Sequence, residues 1–317
     1  MKKVLITITA LVISLTAFAQ DKKVLNDYIN TFVQEKNAAT ERQLDFLIKL
    51  AYDDDITKLN QERETNLKKA AASYKKIDRN IFSYAGDSKL KKITLKLFNV
   101  YKDAYANMYK TTNSLYKKKN ASYNDMLKYI NKLNEVEENI YNIETEFDKT
   151  VQEFVVAHKA EGFNYDNSNY ILLKKITLVN KHYRELFLSY FKAADLNRIF
   201  MQAVNEKNPK MTTEARKRMI DGLNKEEEKV KNIEAFNDDD KSVNSAKKLL
   251  KFYKGLAEKD YADLEALIIR YPGWSPGDVN KHNNIIKNFQ KKSIKYHGSF
   301  QSDAQALIQS VVPKKLK

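Results

Sequence analysis

Turn-forming residues are nearly missing from this chain, with seven glycines and four prolines among 317 residues. A sheet protein of that length needs many tight turns, and tight turns draw on Gly and Pro. Long helices need few. The apolar fraction of 43% is too high for a disordered chain, and abundant Lys, Glu, Leu and Ala favour helix.

The periodicity agrees. Leu67, Ala70, Tyr74, Ile77, Ile81 and Tyr84 alternate steps of three and four, an a/d stripe of the coiled-coil kind. Gly86-Asp87 ends that helix and caps the next. A broad apolar face follows from Leu90 to Leu115 through Ile93, Leu97, Tyr101, Tyr105 and Met108. Another runs from Met126 to Phe154 and is closed by Gly162. The most apolar stretch, about Tyr170 to Val204, reads as a central helix, and Asn208-Pro209 breaks it. A further helix reaches about Phe236. After the polar turn Asn237-Asp238-Asp239-Asp240, the next runs from Ser242 to near Arg270. These features predict an all-α fold, an elongated antiparallel bundle of long helices over residues 20–270.

An internal echo suggests a duplicated helical hairpin. Leu90-Lys91-Lys92-Ile93-Thr94-Leu95 recurs as Leu173-Lys174-Lys175-Ile176-Thr177-Leu178, and Ile130–Glu144 resembles Ile220–Glu234 at a slightly longer offset. On this reading the copies span 87–161 and 170–236.

One segment breaks the pattern. Tyr271-Pro272-Gly273-Trp274-Ser275-Pro276-Gly277-Asp278 holds two of the four prolines, two of the seven glycines and the only tryptophan. Pro-Gly pairs specify turns, and Asp278 suits a helix N-cap. Short C-terminal helices are expected beyond it, separated by a second turn at Tyr296-His297-Gly298-Ser299-Phe300. Trp274 and Tyr271 offer either a stacking platform for a planar ligand or a plug that packs the loop onto helix ends. With His297 they are the candidate ligand-binding residues, because a stiff loop in a helical protein is a natural binding place.

Catalytic signals are sparse. There is no glycine-rich phosphate loop and no activated-serine motif, so no catalytic residue is assigned and no cofactor is expected. His182 and Glu185 stand at i and i+3 and are the weak metal candidates. Di-iron bundles use Glu-x-x-His from two helices; here the order is reversed and no second motif occurs. The alternative is a solvated pair on one helix face. Asp53-Asp54-Asp55 and Asp238-Asp239-Asp240 lack the rest of a calcium loop and read as caps.

The N-terminus carries a secretory layout: Lys2-Lys3, an uncharged stretch from Val4 to Ala19, and small residues in Ala17-Phe18-Ala19 before Gln20. Residues 1–19 are therefore expected to be a cleaved leader, placing the protein in the periplasm, on the cell surface or outside the cell. With no cysteine, lipid attachment at the cut and disulfides are both excluded. The net charge of +15 suits an anionic envelope polymer or peripheral contact with a membrane. Acids interspersed with the lysines make a soluble surface the plainer account, and no specific nucleic-acid signal is visible. An envelope protein is the other partner class, and the oligomeric state is open.

The end of the leader, Ala17-Phe18-Ala19-Gln20-Asp21, the Lys/Asn-rich helices and Tyr296-His297-Gly298-Ser299-Phe300 resemble uncharacterised all-helical surface or periplasmic proteins of Bacteroidota and spirochaetes. That resemblance implies export and a helical fold and carries no catalytic residues over. The functional expectation is an exported envelope binding or scaffold protein. A metal-assisted periplasmic hydrolase and a membrane-active helical protein are the alternatives.

Overall fold

The computed structural model describes residues 2–52, 55–80, 83–160 and 162–316; the side chains of 2–21 and of Asn80 fall outside the description. The leader expected over residues 1–19 is thus outside the described side chains. The fold is all-α, 84% helical with no strand among the described residues.

In chain order, α1 is Lys2–Tyr52, α2 Ile56–Asn80 and α3 Lys89–Asp103. The π-helical segment π1 (Ala104–Met108) continues α3 into α4 (Tyr109–Tyr116), and α5 is Tyr123–Ala157. Then come α6 (Ser168–Asn205), α7 (Pro209–Lys231) and α8 (Lys241–Gly255). A second π segment, π2 (Leu256–Asp260), leads into α9 (Tyr261–Ile269), and α10 is Pro276–Val311. No helix among the described residues is long and apolar enough to cross a membrane.

The chain forms two compact units, one of residues 1–114, 132–177 and 314–317, the other of 115–131 and 178–313. In the first, α1, α2 and α3 pack on one another, burying Phe32, Leu47, Ile77, Leu97, Phe98, Phe147 and Phe154. In the second, α8 packs on α7 and α10 around Phe200, Met219, Leu249, Tyr253, Tyr261, Leu264 and Phe300.

The helices follow one plan twice, at a nearly constant offset along the chain. The turn at Tyr84–Asp87 closes with an antiparallel bridge, and Phe236–Asp239 closes with another. Each turn holds two consecutive residues in the left-handed region, Ala85 and Gly86 in one, Asn237 and Asp238 in the other. Each then starts its helix with an aspartate: Asp87 Oδ1 accepts from Lys89 N at 2.8 Å and Asp239 Oδ1 from Lys241 N at 3.0 Å. The π segments keep the same offset, π1 opening at Ala104 and π2 at Leu256. A π turn disturbs the regular ladder and opens carbonyls to outside donors. Arg63 Nη1 donates to Tyr105 O at 2.6 Å, and Arg216 Nη1 to Ala257 O at 3.2 Å. Finally, α5 and α10 open on the same reciprocal cap. Ser122 Oγ accepts from Asp125 N while donating to Asp125 Oδ2, and Ser275 and Asp278 do likewise.

This repeat has a different register from the hairpin echo. The Leu90–Leu95 and Leu173–Leu178 hexapeptides sit on α3 and α6, the third helix of one copy and the first of the other. Lys/Ile-rich helices generate such matches by composition.

The C-terminal region also departs from expectation. The predicted turn at Tyr296–Phe300 lies inside α10, a single 36-residue helix. A glycine inside a helix costs about 1 kcal/mol, and a row of buried contacts offsets it: Ile285, Phe300, Ala304 and Leu307 share one face.

Candidate functional site

The Tyr271–Asp278 loop is built around its tryptophan. Trp274 is partly buried against the core, and its indole N–H donates to Leu267 O at 2.6 Å, tying the loop to the end of α9. The Tyr271 ring meets it edge-on at 5.5 Å, and the His282 ring lies 5.2 Å away. Tyr271 is 40% exposed, with Lys207 Nζ 4.0 Å from its ring centroid. Arg270 reaches Asp278 at 2.7 Å across the base of the loop. Trp274 therefore holds the loop in place, and of the loop's two aromatic rings Tyr271 is the exposed one.

His297 does not join them. It lies in the second half of α10, whose first residue is Pro276, about 30 Å along the axis from the loop at helical rise. Its ring is held between two tyrosines, with Tyr190 Oη 3.1 Å from Nδ1 and Tyr253 Oη 2.7 Å from Nε2. Burial lowers the imidazole pKa and raises that of Tyr253. The ring is kept neutral and the phenol keeps its proton. Such a trio ties α6, α8 and α10 together as a strut and supplies no activated nucleophile.

His182 and Glu185 line a shallow depression with Lys229 and Glu234. Glu185 is exposed. His182 packs at 5.5 Å from the Phe236 ring, its Nε2 is buried without a hydrogen-bond partner, and burial lowers its pKa. No group of three or more metal-ligating side chains occurs among the described residues. Of the aspartate runs, Asp55 and Asp239 act as helix caps; Asp53 and Asp54 lie outside the described residues.

Sequence reasoning missed the most polar part of the interior, in the first unit. Lys36 and Glu144 are both fully buried, and Lys36 Nζ lies 2.9 Å from Glu144 Oε2. That ionic contact falls short of hydrogen-bond alignment. The ammonium also faces the rings of Tyr170 at 5.5 Å and Phe147 at 6.0 Å. The other carboxylate oxygen accepts from Thr40 Oγ1 at 2.7 Å and Tyr101 Oη at 2.6 Å. One face of α1 continues the chain of polar contacts: Gln43 accepts from Tyr105 Oη and donates to Tyr109 Oη, both at 2.7 Å. Burial, then the Glu144 charge, raises the Tyr101 pKa. A readable signal existed, since Lys36, Thr40 and Gln43 continue the helical spacing of Phe32 and Leu47.

Each unit also carries a surface groove at the same place in its plan. Between α3 and α5 it measures about 700 Å³, and between α8 and α10 about 550 Å³. Lysines and acids line both grooves.

No protein-family model, no curated protein and no solved structure matches the chain.

Proposed function

We propose that this is an exported binding or scaffold protein of the cell envelope, acting through its helical surfaces and without catalysis. The observation that carries the reading is how the interior is used. Its buried ionisable groups hold helices together: Lys36 and Glu144 neutralise each other, and His297 sits between two tyrosines. An open helix–helix groove in each unit offers a partner a surface. Export rests on the Lys2-Lys3, apolar stretch and Ala17-Phe18-Ala19 pattern.

The test is fractionation of cells expressing a C-terminally tagged chain, with protease added to intact cells. The expected result is a product shortened by the leader and recovered from the envelope or medium. Digestion of intact cells would place it on the surface; protection until the outer layer is opened would place it beneath. An unshortened chain confined to the cytoplasm would overturn the proposal.

A further inference from the structure

The two grooves share a backbone plan and differ in charge. Six positions correspond: Lys96 with Lys248, Asn99 with Lys251, Val100 with Phe252, Asn142 with Lys295, Ile143 with Tyr296 and Glu146 with Ser299. In the α3/α5 groove, Lys96 bonds Glu146 at 2.6 Å, and two lysines are matched by two acids. In the α8/α10 groove the glutamate's place is taken by Ser299, and Lys248, Lys251 and Lys295 face a single acid, Asp303. All three lysines are exposed, and none forms an ion pair among the described residues.

The floor differs too. Phe252 and Tyr296 stack at 4.5 Å with their planes 14° apart, and both pack on the core of the second unit. Three like charges around one fixed aromatic floor repel one another, and an anion bound there relieves the repulsion. The two rings stack on each other, so each has one face already covered, and both line the groove. An apolar ledge with a hydroxyl beside spaced ammonium groups suits a chain of sugars carrying acidic groups better than single-stranded nucleic acid, which binds by stacking bases on open ring faces.

We infer that the α8/α10 groove binds an acidic polysaccharide, with Lys248, Lys251 and Lys295 meeting its acidic groups and the Phe252–Tyr296 pair supporting its sugar rings. This deepens the envelope-binding reading and rests on it for the ligand's whereabouts.

The test uses the purified full chain and immobilised polygalacturonate, with neutral dextran and a thymidine oligonucleotide as competitors. Binding is expected to weaken steeply with salt. The Lys248→Ala/Lys251→Ala/Lys295→Ala variant should bind about a hundred-fold more weakly at low salt, taking about 1 kcal/mol per lysine near an anionic surface. Tyr296→Ala should weaken it by about ten-fold. Lys68→Ala/Lys69→Ala, on the exposed side of α2 in the other unit, should leave it unchanged. A cooperative circular-dichroism melting transition well above the assay temperature shows that each variant is folded. The inference is overturned if polygalacturonate does not bind, if dextran competes equally, if the triple variant binds like wild type, or if the oligonucleotide binds more tightly. Any of those results leaves the export and envelope assignment standing, because fractionation decides that separately.

Discussion

At matching places in their repeated plan, the first unit holds a buried ion pair and the second a neutral imidazole. Tyr101 and Tyr253 are equivalent in that plan, each fully buried on the helix that precedes a π segment. Tyr101 donates a hydrogen bond to Glu144 of α5; Tyr253 bonds His297, which takes the place of Glu144 on α10. One turn on, Phe147 and Phe300 correspond and are both buried. What is kept is what fixes the backbone: the aspartate-capped turns, the arginine on the π carbonyl, the Ser/Asp caps, the tyrosine and the phenylalanine. What changes is the chemistry between the helices. The plan asks only that the buried tyrosine hydroxyl has a partner, because an unmet polar group in the core is costly. A charge introduced there needs a countercharge, and Lys36 on α1 supplies it.

The largest effect should come from breaking that pair. Glu144→Gln leaves Lys36 buried and unpaired, and Lys36→Met leaves the carboxylate with only two hydroxyl donors. Each should lower stability by about 3–5 kcal/mol. The double variant should recover most of the loss, since the introduced amide oxygen still accepts from Thr40 and Tyr101 while no charge remains. Urea unfolding followed by circular dichroism measures all three. Additive losses in the double variant would mean the pair is not coupled, and the contrast between the units would fall.

A smaller difference is expected between the two tyrosines. Tyr101→Phe removes a hydrogen bond to a charged carboxylate, worth about 1.5–3 kcal/mol, whereas Tyr253→Phe removes one to a neutral ring, worth about 1 kcal/mol. Equal losses would show that the two hubs are electrostatically alike. Hydrogen exchange should place the lost protection in the first unit for Tyr101→Phe and in the second for Tyr253→Phe.

The helical class, most helix positions and the central break at Pro209 were legible because apolar period and turn residues report on them directly. The polar core was not. Lys36, Thr40, Gln43, Arg63 and Asn66 are all buried, yet a hydropathy stripe reads each as a gap. On α2 this moved the inferred face: Leu67 and Tyr74 are only partly buried, while Arg63 and Asn66 are inside. The repeat of turns, caps and π segments was hidden for a related reason. Its signature is a set of isolated Ser, Asp, Arg, Tyr and Phe positions spaced through dissimilar helices, whereas the hexapeptide echo is contiguous and so more visible. Gly298 misled in the opposite direction: glycine marks a turn unless packing on both sides holds the helix together, and that packing becomes visible only in the fold.

The smallest effect separates the hubs by pH. Burial lowers the His297 pKa below its ordinary value of 6.5. In the unfolded chain the imidazole titrates near that ordinary value, so the unfolded state takes up a proton first as pH falls. Stability is complete above about pH 6.5 and declines as pH drops from there toward the lowered folded pKa. His297 bonds Tyr190 and Tyr253 and packs against both rings, and neither carries a charge to hold an imidazolium. His182, also lowered by burial, contributes with the same sign and forms the background. His297→Gln keeps a donor and an acceptor near the tyrosines and removes the titration. Its stability should therefore fall less steeply than that of wild type between about pH 7 and about pH 5.5, with the difference confined to protection in the second unit. Parallel curves for wild type and His297→Gln would mean that the second hub accepts a charge as readily as the first, and that the two units differ in residues but not in their tolerance of charge.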